Sequence, residues 1–170
     1  MIYPRLVCHD DEFSWTIIQN IGGVVAHAEA IMRGGTVIGA FAEGGVQERP
    51  LGYDGGKFLK EILLVLPADD AMTAKFEHYL RAPEVMGEKY DFSGIANFVH
   101  PGVDLHGKHT VFCSALIHDA LRWVGWFPHP LPIAGHYVNP LLIEQELLVR
   151  PDVRAVERDD PEFKTHIAGA

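Results

Sequence analysis

The chain has 170 residues, 48% of them hydrophobic and 22% charged, and a net charge of −9. This balance excludes global disorder, and a single domain of this length buries enough surface to fold without a metal or a disulfide. The acidic excess and the lack of a basic cluster argue against nucleic acid as a partner.

The first stretch, MIYPRLVCHDDEF, lacks a basic start followed by an apolar run, so no secretory signal is expected. The longest apolar run, Ile62–Ala68, is too short to span a bilayer, which points to a cytoplasmic protein without a transmembrane segment. Acidic residues concentrate at His9–Glu12 and Val156–Phe163 and read as solvated surface. Two cysteines, Cys8 and Cys113, make no disulfide framework.

Gly22–Met32 alternates as a strand, Arg33–Gly35 makes a tight turn, and Thr36–Glu43 returns as a second strand. GGVQERPL then turns into an edge, and Lys57–Pro67 reads as a further strand stopped by its proline. Acidic caps open a helix in DDAMTAKFEHYLRAPE, with Met72, Phe76 and Leu80 four apart. Val99–His109 is a loop rich in glycine and histidine. In TVFCSALIHDALRWVGW, Leu116, Ile117, Ala120, Leu121 and Val124 form one apolar helix face, and Gly125 supplies the left-handed stop. FPHPLPIAGHYVNP is a proline-rich loop, and Asn139–Leu148 begins with a cap and a first-turn proline. The last residues, from about 152 to 170, are polar and read as a fraying tail on a single domain.

Cys113 therefore falls in the first turn of a helix. Unpaired N–H groups and the dipole favour its thiolate there, and can hold an oxyanion formed when it attacks a carbonyl. Buried packing is the competing role for a cysteine. A nucleophilic thiolate needs a base, and ten histidines are available. His27 lies within a strand among small apolar residues. His118 lies five residues along the cysteine helix and points away from the thiol, while His106 and His109 are loop residues. The run His100, His106, His109, Cys113 lacks compact zinc spacing, so neither a metal nor a cofactor is expected.

The order AHAEAIMRGGTVIGAFAEGGVQERP, then KYDFSGI, then FCSALIHDALRWVG resembles the circularly permuted papain-like hydrolases of the NlpC/P60 superfamily. That group includes the bacterial YiiX-like branch and relatives of lecithin retinol acyltransferase. The resemblance spans about Leu6 to Pro151 and lies in the order and spacing of short motifs. It implies an α+β fold, with an antiparallel sheet packed against the cysteine helix and His27 facing Cys113. It also implies a Cys–His dyad with Cys113 as nucleophile and His27 as base, and a tyrosine near the site, here Tyr90. The family carries a third polar residue about twelve positions after the histidine, and that position is Gly39. Glu43, further along the same strand, and Glu29, two residues from His27, are the substitutes available, each needing a bent backbone to reach the ring. Ser114, Trp126 and His136 are the expected substrate-binding residues.

The expected function is a cysteine-dependent hydrolase or acyltransferase cleaving an amide or ester in a small peptide or lipid-like substrate. The alternative is a catalytically degraded relative serving as a binding or structural module, with Gly39 as the trace of lost activity. No feature sets the oligomeric state.

Overall fold

The computed structural model describes residues 1–82, 85–93, 109–127 and 138–169. The N-terminal residues form β1 (Tyr3–His9) and α1 (Glu12–Ile21), followed by β2 (His27–Met32), β3 (Thr36–Phe41), β4 (Gly45–Pro50) and β5 (Phe58–Val65). After α2 (Asp70–Leu80) come two short strands, β6 (Lys89–Tyr90) and β7 (Thr110–Val111). The chain ends with α3 (Cys113–Trp123), α4 (Pro140–Leu148), β8 (Arg154–Val156) and α5 (Pro161–Ala168). Six strands make one antiparallel sheet in the order β4-β3-β2-β1-β5-β8, and β6 pairs with β7 in parallel.

The first thirteen residues carry more structure than their sequence suggested. β1 is a central strand, antiparallel to both β2 and β5. Asp11 caps α1 by accepting from the Ser14 N–H, and Gly22 ends that helix at φ 70. The expected strand at Gly22–Met32 is therefore shortened to His27–Met32. The C-terminal residues do not fray: β8 extends the sheet beside β5, and α5 packs Phe163 onto the sheet.

The alternation of strand residues gives the sheet two different faces. Leu6, Ala28, Ala30, Ile38 and Ala40 point to one face, which α2, α3 and α4 cover with Phe76, Leu80, Leu116, Ile117, Ala120, Leu121, Ile143 and Leu147. Three alanines under α3 leave room for the helix to lie close to the sheet. Tyr3, Ile31, Val37, Leu63 and Val65 point to the other face, under Phe163. His27 and Glu29 share this second face with Ile31, so the cysteine helix and the imidazole are on opposite sides of β2. They meet at the strand's first residue.

β6 is brought to the sheet at Gly45, where the Val46 N–H donates to the Glu88 carbonyl at 2.8 Å. Gly45 has φ 71, and a Cβ there would lie 2.0 Å from the Glu88 carbonyl oxygen, so only glycine permits this approach. Among the described residues no helix is long and apolar enough to cross a membrane.

Candidate active site

Four of the five described helices begin at an Asp or Asn whose side chain accepts from the first turn. The exception is α3, which begins at Phe112 with no side-chain cap. Its first-turn N–H groups are left to the Cys113 sulfur and to whatever lies before it. The thiol is buried, 4.0 Å from the Ala26 carbonyl, with the N–H groups of Ala28 and Ser114 directed at it. Burial pushes the thiol pKa up. The charge of the nearby His27 imidazolium and the two N–H groups outweigh burial and hold it below the ordinary thiol value. Cys8 is the opposite case, since burial and the nearby Asp11 and Asp10 push its thiol up.

Burial also works against a charged His27, but the Cys113 thiolate and the Glu29 carboxylate push the ring's pKa up to about 10. His27 Nε2 lies 3.5 Å from Glu29 Oε2. This is a charge contact longer than a formed hydrogen bond, as is common in an unliganded site. Glu29 is held on its far side by Arg5, its direct partner across the β1–β2 register, and the Tyr53 hydroxyl donates to it at 3.2 Å. Burial would raise the Glu29 carboxyl, but the His27 and Arg5 cations keep it below the carboxylate range.

Arg5 is fully buried and serves three carboxylates: Glu29, Asp54 at 2.6 Å and Glu61 at 2.6 Å. Arg158 from the C-terminal segment closes on Glu61 at 2.6 Å. A buried charge survives only when paired in this way. The result is a fixed row across the sheet, running from Arg5 through Glu29 to His27.

Tyr90 comes to the thiol through the β6–β7 pairing, in which it lies opposite Val111, two residues before Cys113. Burial together with the nearby thiolate charge raises the Tyr90 pKa above that of an ordinary phenol. In front of His27 and Tyr90 opens a cleft of about 400 Å³, walled by Phe13, Phe41, Arg49 and Tyr53. His9 also faces it, with Nε2 3.5 Å from Asp54 Oδ2; burial and the His27 charge lower its pKa.

The structure thus brings Cys113, His27 and Tyr90 together and puts other expected residues elsewhere. Glu43 lies beyond β3 in the turn to β4, exposed on the cleft rim, where its backbone carbonyl accepts from Gln47 and Arg49. The carboxylate beside the imidazole belongs to Glu29. Ser114 is fully buried and donates to the Val138 carbonyl at 2.5 Å, so its hydroxyl anchors α3 instead of facing substrate. Trp126 is a core residue whose Nε1 donates to the Pro67 carbonyl, with Arg150 stacked on its ring at 4.3 Å. His136, His100 and His106 lie outside the described residues. His118 is buried 3.7 Å from Glu146, away from the thiol, and packs on Phe127. Arg5, Tyr53 and His9 were missed by sequence reasoning. A lone arginine in an otherwise apolar strand, PRLV, was the one available signal for the first.

No protein-family model matches the chain, and no curated protein matches its sequence. Among solved structures, the fold matches the crystal structure of the metalloprotein YiiX from Escherichia coli O157:H7, with TM-score 0.60 and 13% identity. The match covers 94% of this chain and 97% of that one. The chain therefore has a YiiX-like α+β fold. The same set of residues does not fit a metal. Among the described residues no group of three or more His, Cys, Asp or Glu could hold an ion, and Glu29 and Asp54 are both bound by Arg5.

Proposed function

We propose that the protein is a cysteine-dependent hydrolase or acyltransferase of the permuted papain-like kind, acting on an amide or ester through Cys113, His27 and Glu29. The observation that supports this most is a buried thiol at the uncapped start of α3, in contact with an imidazolium that a carboxylate supports. Cys113 Sγ attacks the carbonyl carbon, and the carbonyl π electrons move to oxygen, facing the first-turn N–H groups and the Tyr90 hydroxyl. The C–N or C–O bond then breaks, His27 protonates the leaving group, and a thioester remains. Water, or an acceptor hydroxyl or amine, gives its proton to His27, attacks the thioester and releases Cys113. Glu29 is a positioning residue, which orients the ring and stabilises its charged form.

The alternative of a degraded binding module rested on the missing side chain at Gly39. A carboxylate stands beside the imidazole regardless, which favours the catalytic reading. Labelling with iodoacetamide tests it. Cys113 is expected to react at neutral pH in the wild type, to react more slowly in His27→Ala, and to give no adduct in Cys113→Ala. Equal, sluggish reaction of Cys8 and Cys113 overturns it.

A further inference from the structure

Arg5, Arg33, Arg81, Arg150, Arg154 and Arg158 each pair with a carboxylate. Arg49, on the edge strand β4, has no carboxylate partner among the described residues, and it is the arginine that lines the cleft. Its guanidinium stacks on Phe41 at 3.8 Å and on Tyr53 at 5.0 Å. One bond, from Nη2 to the Glu43 carbonyl at 3.2 Å, fixes it further. Phe41 in turn packs its ring on His27 at 5.2 Å, so a single aromatic ring separates the guanidinium from the imidazole.

A stacked guanidinium keeps its in-plane N–H groups free and fixes their direction, which suits paired hydrogen bonds to a planar anion. The stack also removes much of the side-chain freedom that binding would otherwise cost. Lys57 stands on the same wall and adds positive charge. Two of the cleft acids do not compete, because Asp11 accepts from the Ser14 N–H and Asp54 is bound by Arg5 and the Gly56 N–H. Asp10 and Glu43 remain on the exposed rim.

We propose that Arg49 is the specificity residue of the cleft and selects substrates that carry a carboxylate one or two residues from the scissile bond. This deepens the catalytic reading above and rests on its placement of the reacting carbonyl at the Cys113 sulfur. Free peptide C-termini and acidic side chains next to the cleaved bond share this chemistry.

Two measurements test it. In the first, Cys113 is alkylated with iodoacetate and with iodoacetamide, and the ratio of rates is read by mass spectrometry. Arg49→Gln is expected to lower that ratio roughly tenfold, about the value of one lost charge-assisted pairing, while Arg49→Lys keeps part of it. An unchanged ratio in Arg49→Gln, with a melting temperature equal to wild type, overturns the proposal. The second measurement needs no reactive thiol. Cys113→Ala protein is titrated by NMR with an N-acetyl dipeptide bearing a free C-terminal carboxylate and with its C-terminal amide. Tighter binding of the acid that is lost on adding Arg49→Gln supports the anion site even where alkylation shows the thiol to be inert. Equal binding of acid and amide overturns it. Comparing the free-carboxylate dipeptide with an amide-capped peptide carrying a glutamate tells the two carboxylate sources apart.

Discussion

Glu29 faces Gly39 directly across the β2–β3 register, and a Cβ at position 39 would lie 3.1 Å from the Glu29 Cβ and 3.3 Å from His27 Nε2. The space that a side chain on β3 would occupy is thus filled from β2. The gap at Gly39 and the position of the Glu29 carboxylate beside the ring are one spatial relationship.

Gly39→Ala should therefore disturb the site without straining the backbone. The added methyl also meets Phe41 at 3.3 Å, so the imidazole, the carboxylate or the aromatic ring has to move. Overpacking of this kind costs about 1–3 kcal/mol, or a fall of several degrees in Tm for a chain of this size. Misplacing the ring should slow Cys113 alkylation by about tenfold to a hundredfold. An unaltered rate would show that the ring does not depend on this gap.

Glu29→Gln keeps the shape of the side chain and removes its charge. Losing the carboxylate lowers the His27 pKa from its value of about 10, weakening the imidazolium that holds the thiolate. The inflection of the iodoacetamide pH profile should move upward by roughly one unit, equivalent to about 1.4 kcal/mol. NMR titration of His27 should move the opposite way. A purely structural Glu29 would lower Tm and leave both titrations where they are.

Arg5→Met leaves Glu29, Asp54 and Glu61 without their shared cation. Breaking a buried pair costs about 3–5 kcal/mol, so Tm should fall by roughly 10 °C. The wild-type acid response follows from the same three groups, whose folded pKa values all lie below their ordinary ones. Their contribution is complete above the unfolded values of about 4 to 4.5 and is lost as pH falls through the lowered folded values. Chemical denaturation across this range should show stability falling toward acid in the wild type, and a much flatter profile in Arg5→Met.

Tyr90→Phe removes one hydroxyl and leaves the packing with Phe13 and Phe92 in place. Tm should change little. Turnover of an ester substrate should fall about a hundredfold, the usual cost of losing one oxyanion donor, while iodoacetamide alkylation falls by much less. An equal loss in both assays would assign the hydroxyl to the thiolate alone.

The hairpin of β2 and β3 and the helices α2, α3 and α4 were legible because each rests on local periodicity and caps. The central strand β1 was not. Its burial on both faces hides alternation, and its one charged residue, Arg5, makes sense only beside carboxylates from three other segments. Glu29 is legible in the sequence as a neighbour of His27 but reads there as needing a bent backbone to reach the ring. Residues two apart on a straight strand share a face, and a glutamate is long enough to reach back along it. Trp126 and Ser114 were assigned to the cleft from nearness in sequence, whereas helix packing turned one into the core and the other toward Val138.

The parallel pairing of β6 with β7 has a consequence for how this protein can vary. Lys89 lies opposite Thr110 and Tyr90 opposite Val111, so the chain leaves and re-enters the site at two points clamped to each other. Tyr90 and Cys113 are registered by that clamp and not by the sequence that joins them. A substitution that breaks either of these pairs separates Tyr90 from Cys113, so variation is most constrained at the clamp itself.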